Sequence, residues 1–263
     1  MSTPDNTLDR QLAEMVSCIS QAKLDAYASL LPGQNENMKV RLFFTMSQLS
    51  SYFFLPLQIL ELALRNKIND SLIALYSTRK KRMVTHKYGS GNPHEWYLWM
   101  PQDLRTCKRI QRSLKHANDA ISLSGRSASS LTIGDVISQI SLGLWIKILD
   151  EWAMPGSDLH FWDRIVNHVF PFRGKVKRCE ILDRLDKINR VRNRLFHHEP
   201  IWKDPGQPFV SLSDAFDSLE NKFSEINMVI GWMTLNIEQR INALDKNVFK
   251  RQVSHYRNEF LNI

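Results

Sequence analysis

The chain has 263 residues, of which 43% are hydrophobic and 24% charged, with 10 Gly, 10 Pro and 3 Cys. That length supports a substantial buried core, and so few turn residues argue against a turn-dense β architecture. The net charge of +8 favours polyanionic partners, while the scattered Cys18, Cys107 and Cys179 argue against a disulfide framework or a structural zinc site and fit a reducing cytoplasm.

The segment Met1 to Asn6 is polar and lacks the basic-then-apolar progression of a secretory signal. The greasiest stretch, Leu42 to Leu64, is interrupted by Ser47, Gln48, Ser50, Ser51, Pro56 and Glu61. It is not expected to span a membrane. A soluble, cytoplasmic protein with no membrane partner is the expectation.

Helical periodicity dominates from the start. It predicts a first helix over 8–30 that breaks at Pro32-Gly33, then helices over 38–54 and 57–76, or one helix kinked at Pro56. Leu57, Leu60, Leu64, Ile68, Leu72 and Leu75 form an apolar stripe, with Glu61 inside it and Arg65 one turn further on. Glu four residues before Arg is the favourable order for an intrahelical pair. Residues 77–100 break the pattern with Arg79-Lys80-Lys81-Arg82, Gly89-Ser90-Gly91-Asn92-Pro93 and the aromatics Trp96, Tyr97 and Trp99. They are predicted to form a loop or short hairpin inserted between helices.

Residues 101–120 return to helical spacing, and Arg105, Lys108, Arg109, Arg112, Lys115 and His116 fall on one face without a carboxylate. Such a face is either solvated or a stripe that tracks phosphates. A serine-rich linker over 122–130 precedes two predicted helices, 132–151 and 159–170. The basic connector Arg173 to Arg178 leads into a strongly patterned helix over 177–198. A loop around Pro205-Gly206-Gln207-Pro208 follows, then a long helix over 213–246 and a short terminal one. No repeat is visible. The reading is a single all-α domain over 1–263, built around a helical bundle.

The helix over 177–198 carries the most informative residues. Ile181, Leu182, Leu185, Ile188, Leu195 and Phe196 gather on one arc, and Arg192 falls in the middle of it. A buried guanidinium must meet a carboxylate, a partner chain or a ligand anion, and pairing with Glu61 across a bundle would satisfy both. Asn193 and His197 stand four apart on one flank. Pro200 disfavours helix at Glu199, which puts His197 in the last turn, with His198 beside it toward solvent. A fixed cation next to a histidine, the side chain that titrates near neutrality, suits phosphodiester chemistry.

The order Arg192-Asn193, three residues, His197, then His198-Glu199-Pro200-Ile201-Trp202, resembles the RNA-cleaving motif of the HEPN superfamily. The wider chain resembles the Abi-like branch of that superfamily, proteins of bacterial abortive infection. The likeness covers most of the sequence: Ile19-Ser20 through Leu24 to Tyr27, Leu57 to Asn66, Leu142-Gly143-Leu144-Trp145, and Phe161-Trp162 with Phe170-Pro171.

That resemblance implies a metal-independent endoribonuclease without a cofactor, acting in phage defence or as a toxin. Arg192 would hold the scissile phosphate, His197 would transfer a proton, and Asn193 would orient His197 or donate to the phosphate. Glu61, Arg65 and His198 would support them. Relatives carry Glu, three residues, then two basic residues at the corresponding block, whereas here Asn66 takes the second basic position. HEPN nucleases bring two Arg/His sets together, which implies a homodimer, since Arg65-Asn66 is followed at 69–71 by Asn, Asp and Ser. RNA is the implied substrate, and a cognate noncoding RNA or antitoxin a further partner. A non-catalytic RNA-binding module that keeps the motif to grip phosphate is the alternative. A nucleotidyl-transfer partner is disfavoured by Glu199 where that branch carries Tyr.

Overall fold

A computed structural model describes residues 6–82, 119, 133–151, 161–204, 206, 211–241 and 247–262. Every regular element among them is an α-helix. In chain order these are α1 (Asn6–Ile19), α2 (Gln21–Ala28), α3 (Glu36–Ser51), α4 (Phe54–Arg82), α5 (Ile133–Gln139), α6 (Leu142–Glu151), α7 (Phe161–Val169), α8 (Arg178–Phe196), α9 (Leu212–Met233), α10 (Leu235–Ile241) and α11 (Asn247–Leu261). No helix among the described residues is long and apolar enough to cross a membrane.

The fold divides into two compact units. The first comprises Met1–Leu57, Arg190–Asn227 and Gln239–Ile263. Its centre is aromatic: Phe223 and Phe249 stack with centroids 4.2 Å apart, and Phe53 meets them edge-on at 5.4 and 5.7 Å. Leu24, Leu42, Met46, Leu49, Phe216 and Val253 of the same unit are fully buried as well. Helix α9 opens with a reciprocal cap. The Ser211 backbone N–H and hydroxyl both donate to the Asp214 carboxylate, and the Asp214 N–H donates back to the Ser211 hydroxyl. These bonds hold the Asp214 carboxyl below the usual range. Arg257 of α11 clamps Asp217 and Glu220 of α9 at 2.7 and 2.9 Å.

The second unit comprises Gln58–Asn189 and Met228–Glu238. The α4 stripe is buried as its spacing predicts, at Leu60, Leu64, Ile68 and Leu72. Trp145, Ile148 and Leu149 of α6, Ile181, Leu185 and Ile188 of α8, and Val229 and Ile230 of α9 are buried as well. Trp162 and Phe170 lie 5.8 Å apart across α7. Gly143 lies against the Asn189 side chain of α8. A Cβ there would meet Nδ2 at 3.2 Å, so the absent side chain sets a close approach.

Several boundaries differ from expectation. The predicted helix over 8–30 breaks at Ser20, whose φ of 75° turns the chain. The described part of α1 buries nothing, whereas Leu24, Tyr27, Leu30 and Leu31 beyond the break are all buried. Redirecting the chain lets α2 dock. Helix α4 runs on through Arg82, so Arg79 to Arg82 is helical and not the start of a loop. Lys and Arg are good helix formers, and no Gly or Pro intervenes. Pro56 falls in the first turn of α4, where its missing N–H has no intrahelical partner to lose. The predicted helix over 132–151 splits at Ile140-Ser141, and Ser141 O accepts from both Leu144 N and Trp145 N to start α6. The predicted long helix over 213–246 stops at Met233, and α10 follows Thr234. The terminal helix, expected to be short, has 15 residues and buries Phe249, Val253 and Phe260. The remainder of the expected insertion, the basic helix carrying Arg105, Lys108, Arg109, Arg112 and Lys115, and the serine-rich linker lie outside the described residues.

Candidate active site at the end of helix α8

Within the first unit, α8 ends in a Schellman motif. The Glu199 N–H donates to Arg194 O at 2.8 Å, and the His198 N–H donates to Leu195 O at 3.1 Å. This geometry requires a left-handed residue at His198, and its φ is 55°. Glycine is the usual occupant, because a Cβ is strained there. The apolar contact that often accompanies the motif joins the positions of Arg194 and Glu199. Here an ion pair takes its place, Arg194 Nε to Glu199 Oε2 at 3.6 Å.

Lys23 of α2 secures the same turn, its ammonium donating to His198 O at 3.0 Å. Beyond the turn, Ile201 and Trp202 are buried and anchor the segment that follows the motif. Trp202 meets Tyr27 edge-on at 5.8 Å. Burial pushes the Tyr27 phenol above its usual range. The α2 segment Leu24 to Tyr27 and the segment His197 to Trp202 therefore meet in space, although they are far apart in sequence.

The motif side chains cluster on this helix end. Arg192 is half-buried, and its Nη1 donates to Asn193 Oδ1 at 3.3 Å. Its guanidinium lies 4.4 Å from the centroid of the Phe196 ring, one turn along. His197 is exposed, and its N–H donates to Asn193 O at 3.0 Å. Asn193 and His197 are thus successive residues on one flank, as their spacing predicts. Two expectations need correction. Val191 is a fully apolar buried position beside Arg192, which is itself only half-buried. Phe196, expected on the packed arc, is 50% exposed, because the buried arc runs through Ile188, Val191 and Leu195 and leaves Phe196 at its margin.

The second constellation belongs to the other unit. Arg65 Nη2 reaches Glu61 Oε1 at 3.5 Å, with both side chains 17% exposed, so these two form an intrahelical pair in the order that favours it. Asn66 and Lys67 line a cleft of about 620 Å³ together with Phe172, Met233, Leu235 and Ile237. None of the motif residues lines this cleft. Among the described residues, no group of three or more His, Cys, Asp or Glu is placed to hold a metal ion.

Three contributors escape sequence reasoning. Lys23 has no local signal, since its partner lies 175 residues away. Phe54 meets Phe196 edge-on at 5.6 Å, a contact between the start of one helix and the end of another. The Arg194–Glu199 pair follows from a cap type that sequence marks only when glycine is present. No family model, curated protein or solved structure matches this chain.

Proposed function

We propose that this chain is a metal-independent endoribonuclease of the HEPN type, belonging to the Abi-like branch and acting in phage defence or as a toxin. The observation that carries the reading is the exposed end of α8, where Arg192 is bonded to Asn193 at 3.3 Å and His197 stands one turn beyond. RNA brings its own nucleophile, so the protein needs only to position the phosphate, offset developing charge and move protons. The 2′-oxygen attacks the adjacent phosphorus, the bond to the 5′-oxygen breaks, and the products are a 2′,3′-cyclic phosphate and a 5′-hydroxyl. Arg192 donates its planar fork to the non-bridging oxygens. His197 takes the 2′-proton or returns one to the leaving oxygen. Each chain holds one such set, and a homodimer supplies the second, separating acid from base roles. The site is cytoplasmic in this reading, and a cognate noncoding RNA or antitoxin holds it off until triggered.

The test incubates the purified full chain with total RNA in a chelator and maps the cut ends. Cleavage leaving cyclic phosphate is expected, and both His197→Ala and Arg192→Lys should abolish it, the lysine because it keeps charge without the fork. Tight RNA binding with no cutting would instead support a non-catalytic module that grips phosphate. Full activity in both variants would remove the site from consideration.

A further inference from the structure

Phe54 and Phe196 are large, apolar and open, 46% and 50% exposed, and Leu55 beside them is 46% exposed. Both rings stand at helix ends, the first residue of α4 and the last of α8. A polar residue would be tolerated at either place, so the exposed pair asks for an occupant. The rings meet edge-to-face at 5.6 Å with an 80° interplanar angle. The Arg192 guanidinium lies 4.4 Å from the Phe196 centroid. An aromatic surface and a guanidinium therefore adjoin.

We propose that Phe54 and Phe196 form a nucleobase platform beside Arg192, which receives a base turned out from a single strand while the guanidinium holds the neighbouring phosphate. This rests on the ribonuclease reading. One nucleotide carries both halves of the match, a flat aromatic face and an anion. Charge favours this occupant over an apolar protein surface, because the Arg192 guanidinium stands at this helix end and the Glu199 carboxylate is already engaged by Arg194 at 3.6 Å. A-form duplex does not fit, since its bases stay stacked inside and offer only backbone and shallow groove edges. Stacking on an aromatic ring tolerates any base, so the platform selects strandedness and not sequence.

The test measures binding by the full-length His197→Ala protein, which is expected not to cut. The probes are a fluorescent 12-mer oligoadenylate, a 12-mer with abasic residues at alternate positions, and a blunt 12-base-pair RNA duplex. The intact single strand should bind roughly tenfold tighter than the abasic strand of equal charge. Adding Phe54→Ala or Phe196→Ala should remove that preference, and Phe54→Ala, which leaves the Phe196 contact with Arg192 in place, should keep affinity for the abasic strand within about twofold. Adding Phe54→Trp should keep it, which separates loss of a platform from loss of fold. Equal binding of all three probes overturns the platform, and so does a preference that survives both alanine changes. If those changes instead convert a sedimenting dimer to monomer with the preference intact, the patch is an interface between copies. Cleavage of total RNA by the native protein combined with equal binding of the intact and abasic strands would sink the platform alone, whereas no binding to any probe would sink the ribonuclease reading with it.

Discussion

His198 offers a direct check on how the end of α8 is built. It holds a φ of 55° at the left-handed position of a Schellman cap, where an L-residue with a Cβ costs about 1 kcal/mol or slightly more. Glycine removes that strain but adds freedom to the unfolded chain, returning about 0.5 kcal/mol. The net expectation for His198→Gly is a gain of about 0.5–1 kcal/mol, or a Tm rise of roughly 2 °C. His198→Ala keeps the Cβ and should show no such gain. Circular dichroism during heating, with a urea titration at unchanged m-value, reads both. A glycine variant no more stable than wild type would refute the cap. The same pair then reports on chemistry. Loss of cleavage in both variants would give the imidazole a part in the reaction, and retention in both would confine His198 to the turn.

Ser211→Ala should lower Tm by roughly 3 °C at neutral pH through loss of the α9 cap. Asp214 has a lowered carboxyl because Ser211 bonds it. Its contribution is therefore present above about pH 4 and lost as pH falls through the lowered value, so the gap between variant and wild type should narrow in acid. Gly143→Val should destabilise by about 2 kcal/mol in urea unfolding, since even a Cβ meets Asn189 Nδ2 at 3.2 Å; an unchanged midpoint would deny the close approach. Reversing Arg105, Arg109 and Arg112 to Glu should weaken RNA binding and flatten its salt dependence, whereas an unchanged slope would assign that face to solvation.

The parts of the fold that sequence reveals are those where one periodicity rules without interruption. The α4 stripe at Leu60, Leu64, Ile68 and Leu72 and the α8 stripe at Ile181, Leu185 and Ile188 are buried as spacing requires. Misreadings occur where a residue acts against its usual meaning. The break at Ser20 needs a positive φ, yet serine announces none, and nothing short of the burial of Leu24 and Tyr27 explains it. Arg79 to Arg82 reads as punctuation because it is charged, but charge at helical spacing interrupts no backbone bond. Phe196 looks apolar enough for the packed arc and still faces outward, because the arc that is buried centres on Ile188, Val191 and Leu195. At the candidate site, spacing places Asn193 and His197 together. It cannot supply Lys23 or Phe54, whose partners come from distant parts of the chain.

Those distant contacts divide the labour at the end of α8. The turn at His198 is secured by Lys23, by the Arg194–Glu199 pair and by the buried Ile201 and Trp202. The outer side chains of that turn, Asn193, His197 and His198, are meanwhile left exposed. Arg192 is restrained differently, along its own helix, by the Asn193 amide and the Phe196 ring. In the proposed ribonuclease, a guanidinium already oriented would lose less rotamer freedom on meeting a phosphate, and a histidine at a braced turn would keep its backbone position as the strand arrives. That proposal assigns positioning and chemistry to different residues. Replacing Lys23 or Glu199 should loosen the turn without touching the reacting groups, whereas replacing His197 should remove a reacting group without loosening the turn.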